Sequence, residues 1–582
     1  MVRFPVRRYL ALLSVYLRPQ GPKIFALTCI LLVDIGLQLS SPKIIEYFIN
    51  TFITGGDITV LLFTGCAYIV IALLTQGVAI SSAYLSGTIA WTATNRLRTD
   101  LVRHCLALDL SFHKTRSSGE LIERIDGDVD ALSNFFSQFF VELLINLLLL
   151  AGILGIFFTI HWLLGIVMVA FSATMLVVIT LIRRRVLPLW KENRQQSALF
   201  FGFLSEHLSG SEDLRGNGAV PYVMLRFYQV IRAWFPIQRR TLIMTNNLDV
   251  TVLFLFVCGT SLSLFIGVYL WSMKLIAVGT IYAIFRYTDL LSQPLDTIQM
   301  HMQDLQQAEA CIQRIEGLLQ TRTLLSDGQG TPLPEGALAI DFEQVSFGYT
   351  PGQKVLHDIS FHMKPGRVVG LLGRTGSGKT TLARLLARLY DPQEGSICLG
   401  GVSLREPYLR DLRRHVGLVT QDVQLFHASV RDNLTFFDRA LSDTYILAQI
   451  EQVGLKSWYD SLSAGLDTII GQDGSGLSAG EAQLLALTRI FLHKPGLIIL
   501  DEASARLDPA TERLMERALN HLLSGRTALI IAHRLSTVQR ADEILILEQG
   551  RIVEHGKRTE LAHDPDSRFA QLLHLGLEEA LV

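Results

Sequence analysis

The residues best equipped for chemistry are Gly373, Arg374, Thr375, Gly376, Ser377, Gly378, Lys379, Thr380 and Thr381, which run consecutively. They follow a β-rich run, Val368–Leu372, and open a helical pattern carrying Leu382, Leu385, Leu386 and Leu389. A strand, a glycine-rich loop and a helix in that order is the setting a phosphate-binding loop requires. The glycines let backbone N–H groups turn toward phosphate oxygens, and the helix N-terminus adds positive potential. Lys379 is placed to neutralise the β- and γ-phosphates, and the Thr380 hydroxyl to ligate Mg²⁺. A second run, Leu497 to Leu500 followed by Asp501 and Glu502, reads as a buried strand ending in two acids. Strand ends face the crevice of an open α/β sheet. There Asp501 is expected to hold Mg²⁺ through water, and Glu502 to act as the general base on the attacking water.

The elements that must carry these groups fall into two parts. The 582-residue chain is too long for one compact domain. It has a net charge of −1, which gives no electrostatic case for nucleic acid. It is 49% hydrophobic and only 18% charged, with a mean hydropathy of +0.35. The apolar residues concentrate in six stretches long enough to span a bilayer: Ile24–Ile45, Ile58–Ile80, Phe139–Ile160, Trp162–Ile182, Leu248–Trp271 and Leu275–Ile298. The sixth is interrupted by Arg286, Asp289 and Gln293. Short connections alternate with long basic ones, so the positive-inside rule puts both termini and the long connections in the cytoplasm. Those long connections have helical periodicity. They turn at Ser117-Ser118-Gly119 and between Gly210 and Pro221. The basic N-terminus lacks a cleavage site and reads as an amphipathic helix at the inner surface. Six scattered cysteines offer no metal spacing.

Residues 1–320 are therefore expected to form an α-helical six-span transmembrane domain with long cytoplasmic extensions. Residues 321–338, containing Ser326-Asp327-Gly328-Gln329-Gly330 and two prolines, have linker composition. Residues 339–582 alternate short β runs with helical patterns, the signature of an α/β P-loop domain.

Taken together, these residues resemble the ABC transporters of exporter type, over nearly the whole chain. The resemblance assigns further roles. Tyr349 stands where an aromatic stacks on adenine. Gln421 matches the glutamine that senses Mg²⁺ and couples to the membrane domain. His533 matches the switch histidine at the γ-phosphate. Asp508 matches the acid of the loop that crosses to the partner. The family signature LSGGQ reads Leu477-Ser478-Ala479-Gly480-Glu481 here. Ser478 and Gly480 are kept, while Ala479 and Glu481 are departures. Ala479 is tolerable where φ is negative, whereas Glu481 puts an acid beside a polyphosphate. Residues 112–119 and 211–219 resemble the two coupling helices, the second of which docks on the partner's nucleotide-binding domain.

The resemblance implies a half-transporter in the cell (inner) membrane, multi-pass, with its nucleotide-binding domain cytoplasmic. ATP and Mg²⁺ are the expected cofactors. The expected partners are a second half-transporter, the lipid bilayer and a small amphipathic cargo (drug, lipid or peptide), and not nucleic acid. The signature acts on ATP bound by the opposite chain, so two chains are needed; homodimer and heterodimer both remain open. The alternatives are a heterodimer subunit with one weakened ATP site, or an ATP-gated regulatory subunit. An importer is disfavoured because the membrane part is fused ahead of the ATPase. Asp34, Arg286 and Asp289 are intramembrane charges, candidates to pair or to line a central cavity.

Overall fold

The computed structural model describes residues 15–135, 141–350, 352–420, 423–471, 476–501, 509–532 and 538–574. Up to residue 320 the described chain is helical. Its helices include α1 (Gly21–Ile53), α2 (Ile58–Ala107), α3 (Leu110–Thr115), α4 (Asp128–Asn134), α5 (Val141–Ile160), α6 (Trp162–Ser209), α7 (Ser211–Gly216), α8 (Val220–Ser272) and α9 (Val278–Gln320). The six expected spans fall on α1, α2, α5, α6, α8 and α9. The helix through Gly21–Ile53, together with α2, α6 and α8, is long and apolar enough to cross a membrane. The two others differ: the apolar stretch found on α5 is the shorter Leu144–Ile160, and α9 carries the charges noted above. Most of the basic N-terminal segment lies outside the described residues.

Two compact units divide the chain: Met1–Leu106 with Ser118–Thr321, and Ala107–Ser117 with Arg322–Val582. In the first unit, apolar residues repeat four apart on α5 (Leu149, Ile153, Phe157) and on α9 (Tyr287, Leu291). They are buried together with Leu164 and Met168 of α6. That periodicity turns one helix face inward. Phe254 and Phe265 of α8 stay exposed at 65% and 72%, as expected of lipid-facing side chains. Polar ties join α1 to α9. The Tyr287 hydroxyl donates to the Leu39 carbonyl at 2.6 Å, the Thr280 hydroxyl to Glu46 Oε1 at 2.6 Å, and the Gly279 N–H to Asn50 Oδ1 at 2.8 Å. A Cβ on Gly279 would lie 2.4 Å from the Glu46 carbonyl oxygen, so the helices approach closely only because this residue is glycine. Toward the end of α9, Arg314 Nε donates to buried Asp128 of α4 at 2.8 Å, and the guanidinium also reaches the other carboxylate oxygen. Unpaired, that buried charge would be strongly unfavourable.

The second unit has two sheets, built from β1 (Ile340–Phe347), β2 (Leu356–Met363), β3 (Val368–Leu372), β4 (Glu394–Leu399), β5 (Val402–Ser403), β6 (Val416–Val419), β7 (Leu497–Asp501), β8 (Thr527–Ile531), β9 (Glu543–Glu548) and β10 (Arg551–Lys557). The antiparallel sheet runs β2-β1-β4-β5 and the larger one β10-β9-β3-β8-β7-β6. In the larger sheet β6, β7, β8, β3 and β9 are parallel. Strands β3 and β8 are buried at every residue, as expected of strands covered on both faces. The helices that matter for the site are α10 (Lys379–Leu386), α11 (Leu409–His415) and α12 (Ala479–His493).

Within the segment expected as the first coupling turn, α3 starts at Leu110, because Asp109 caps it by accepting the Phe112 N–H at 3.1 Å. Residues 322–330 have linker composition, yet they are strapped to the second unit. The Ser326 carbonyl accepts from Arg388 at 2.8 Å, Leu409 N–H donates to Asp327 Oδ1 at 2.7 Å, and Gly330 N–H donates to the Glu406 carbonyl at 2.9 Å.

Candidate functional site

The glycine-rich loop joins β3 to α10. Gly373, Gly376 and Gly378 have φ of +150°, +82° and +106°, a region that side chains disfavour. A Cβ on Gly373 would lie 2.2 Å from the Leu547 carbonyl oxygen, and one on Gly378 would lie 2.6 Å from Leu356 Cδ2. At Gly373 the backbone, and at Gly378 the Leu356 side chain, leave no room for a Cβ. Lys379 is buried, with Nζ donating to the carbonyls of Gly373 at 2.6 Å and Arg374 at 3.1 Å. The ammonium is thus folded across the loop it is meant to serve. Ser377 is buried as well, and its hydroxyl has no hydrogen-bond partner among the described residues. An orphaned buried hydroxyl is disfavoured unless a ligand completes it. A polyphosphate against this loop would supply the missing acceptor, so the loop fits the group.

Thr380 is half-buried in the first turn of α10, and Asp501 is half-buried at the carboxyl end of β7. Strands β7 and β3 both flank β8, and all three run parallel. The hydroxyl and the carboxylate therefore sit at the same edge of one sheet, an oxygen donor set suited to Mg²⁺. Glu502, His533, Gln421 and Asp508 lie outside the described residues.

Tyr349 follows β1 and is 41% exposed. Its phenol oxygen lies 3.1 Å from Thr381 Oγ1 and accepts from Arg384 Nη1 at 3.2 Å, so α10 fixes the ring. Phe347 and Tyr390 meet the ring edge-on at 5.2 Å each. Lys114 of α3 lies over its face, 4.8 Å from the centroid, within cation–π range. The structure thus brings Tyr349 and Thr381 together. Among the described residues, no hydrogen bond joins this cluster to the signature turn.

That turn opens α12. Ser478 is its N-cap, with φ −70° and ψ 156°. Ala479 is the first helical residue and is not among those with positive φ, so replacing glycine there carries no strain. Glu481 turns back to complete a capping box with Ser478.

Arg489, further along α12, was not anticipated. It is 9% exposed, donating from Nε to the Asn433 carbonyl at 2.8 Å and from Nη1 and Nη2 to the Gln424 carbonyl at 3.1 Å. Burial pushes its pKa down to about 10. It clasps the chain three residues beyond Gln421. A lone arginine inside the apolar run from Leu484 to Leu492 was the available signal. Arg489 also lines a cleft of about 830 Å³ with Arg410, Arg413 and Arg414 of α11.

In the first unit, the intramembrane charges separate. Arg286 pairs with Asp289 at 2.5 Å, one helical turn along α9, and both side chains are partly exposed. Asp34 is 6% exposed; its Oδ2 accepts from Gln38 at 2.9 Å, and its Oδ1 has no partner among the described residues.

Residues 356–505 match the family model "ABC transporter", and residues 24–295 match "ABC transporter transmembrane region". An ATP-dependent lipid A-core flippase of Alcanivorax borkumensis is 28% identical over 547 residues, covering 94% of this chain and 93% of that protein. The ATP-dependent lipid A-core flippase of Burkholderia pseudomallei (strain 1710b) is 31% identical over 509 residues, covering 87% and 85%. A solved structure of a bacterial Atm1-family ABC exporter with ATP bound superposes with a TM-score of 0.78 at 24% identity, covering 95% of this chain and 98% of that one. The chain accordingly belongs to the ABC transporter family, as an exporter-type half-transporter: a multi-pass membrane protein whose nucleotide-binding domain hydrolyses ATP to drive transport.

Proposed function

We propose that two such chains pair head to tail in the inner membrane, with their nucleotide-binding domains in the cytoplasm, and export or flip an amphipathic cargo, a lipid foremost. The observation that carries this reading is the glycine cradle with its orphaned Ser377 hydroxyl, on the same chain as four described helices long and apolar enough to cross a membrane. The lipid preference rests on the names of the two flippases to which the chain is similar.

In this reading Tyr349 stacks on adenine and the backbone of residues 373–381 receives the phosphates. Lys379 leaves the Gly373 and Arg374 carbonyls for the β- and γ-phosphate oxygens. Thr380, Asp501 and Gln421 would hold Mg²⁺, which when bound offsets phosphate charge. Glu502 accepts a proton from water as the water oxygen attacks the γ-phosphorus and the bond to ADP breaks. His533 contacts the γ-phosphate. Ser478 and Gly480 close the site from the opposite chain, and Asp508 crosses beside them. ATP binding draws the two domains together, and hydrolysis lets them part, switching the membrane helices between inward- and outward-open forms. The second coupling turn, α7, exposes Glu212 and Asp213. Their charge suits the partner's cleft lined by Arg410, Arg413 and Arg414.

A second reading, a heterodimer with one weakened site, is favoured by one observation: the Glu481 carboxylate already occupies Ser478. Purified protein in liposomes, assayed for ATPase and for flipping of a fluorescent phosphatidylethanolamine, tests both. ATPase lost in Glu502→Gln supports the hydrolytic assignment, and wild-type turnover in that variant refutes it. Turnover by the single chain supports the homodimer. Turnover appearing only with a co-purified partner supports the heterodimer.

A further inference from the structure

The chain passes between its two units three times: after Leu106, after Ser117 and after Thr321. The first and third passages are tied to each other twice, each time within one unit. In the first unit His104 Nε2 lies 2.9 Å from the Leu318 carbonyl oxygen, linking the end of α2 to the end of α9. In the second, Asp109 Oδ2 accepts the Leu324 N–H at 2.6 Å and lies 3.3 Å from the Thr323 hydroxyl. The other oxygen of Asp109 accepts the Phe112 N–H at 3.1 Å and the Ser111 hydroxyl. One buried carboxylate therefore starts α3 and holds the segment that leaves α9. Phe112 anchors α3 by burial, and Lys114 on the same turn lies over Tyr349. Beyond Leu324 the strap is fixed again by Arg388, 1% exposed, at the Ser326 carbonyl.

We propose that Asp109 is a positioning residue that makes these two passages one joint, so that the nucleotide state reaches α2 and α9 together. Among the described residues, the Asp109 carboxylate accepts hydrogen bonds from Ser111, Phe112, Thr323 and Leu324. It acts by keeping α3, which bears on Tyr349, in fixed register with the segment after α9. The proposal rests on the ATP site described above.

Asp109→Asn isolates the effect. Asparagine keeps an acceptor for Phe112 N–H and remains a good N-cap. Its amide NH₂, however, faces Leu324 N–H donor to donor, so only the strap is lost. The full chain is placed in nanodiscs, and amide exchange is followed with and without ATP, Mg²⁺ and orthovanadate. In wild type, protection is expected to change at residues 373–381 and also at 95–106 and 310–320. In Asp109→Asn, the change at 373–381 persists and the ATP KM stays within about threefold of wild type. The response at 310–320 falls several-fold. Leu324→Pro removes the same hydrogen bond from the other side, at a residue 81% exposed, and is expected to reproduce the split even if Asp109→Asn fails to fold. A wild-type response at 310–320 in either folded variant overturns the proposal. So does a wild-type protein whose membrane helices do not respond although 373–381 does. Absence of protection at 373–381 in wild type would instead count against the ATP site itself.

Discussion

The Glu481 carboxylate is bonded to Ser478 at both of that residue's donors: the backbone N–H at 2.7 Å and the hydroxyl at 2.9 Å from the same Oε2. The Glu481 N–H in turn donates to Ser478 Oγ at 3.2 Å. These donors are the ones the proposed mechanism turns toward the partner's γ-phosphate. An anion from the chain itself thus stands at the N-terminus of α12, where the partner's nucleotide would present its own. A positive helix end stabilises either anion, and it cannot favour both at once.

Glu481→Gln is therefore expected to raise ATPase activity of the single-chain preparation. Glutamine still completes the capping box, so helix stability changes little, while the competing charge is gone. The expected gain in kcat/KM is about twofold to fivefold, the range for one charge at a helix end. Steady-state ATPase in nanodiscs measures it. Activity that is unchanged or lower in Glu481→Gln would show that the capping box does not restrain the site.

Tyr349 combines a ring face with a phenol held by Thr381 and Arg384. Removing the two parts separately should give different results. Tyr349→Phe keeps the face and is expected to change the ATP KM by no more than about threefold. Tyr349→Ala removes the stacking surface and is expected to raise KM roughly tenfold, given about 1–3 kcal/mol for base–aromatic stacking. Equal effects from both would mean that the hydrogen bonds, and not the stack, hold the nucleotide.

The parts of this molecule that follow from neighbours in sequence were legible in advance. The phosphate loop is one: strand, glycines and helix are contiguous, and backbone geometry follows from residue type. The apolar spans are another. The Ser478–Glu481 box is legible too, since Ser-x-x-Glu before an apolar run is a capping pattern. What sequence spacing does not reveal is contact at long range. Asp109 meets Leu324 across 215 positions, and Arg489 meets Gln424 across 65. Hydropathy likewise gives the depth of Asp34 and Arg286 but not the face each presents. Arg286 finds its carboxylate on its own helix, at Asp289.

Burial alone would raise the pKa of Asp109, but its hydrogen bonds from Ser111, Leu324, Phe112 and Thr323 outweigh that effect and hold it below the usual carboxylate range. A carboxylate depressed on folding stabilises the folded state above its unfolded pKa, about 3.9. That contribution fades as pH falls through the lower folded value. The stability difference between wild type and Asp109→Asn should therefore be constant from pH 8 to about pH 5 and shrink only below about pH 4. Thermal unfolding of the second unit across that range measures it. A difference that vanishes near pH 6 would point to a histidine instead.

The charges on α7 and α11 allow the partner to be identified. Reversing the turn (Glu212→Arg with Asp213→Arg) or the cleft (Arg413→Glu with Arg414→Glu) should each lower ATPase several-fold, through like-charge contacts that resist docking. The informative sample is a mixed dimer, isolated with two different tags, in which one chain carries the reversed turn and the other the reversed cleft. If each turn docks on the opposite chain of a homodimer, one docking site pairs reversed turn with reversed cleft, and the other pairs two unaltered surfaces. Both are then complementary, and activity returns close to wild type. If each turn instead serves its own chain, every docking site in the mixed dimer is mismatched and activity stays low. Failure of the two tagged chains to co-purify at all would argue against a homodimer and direct attention to a second gene product with its own signature turn.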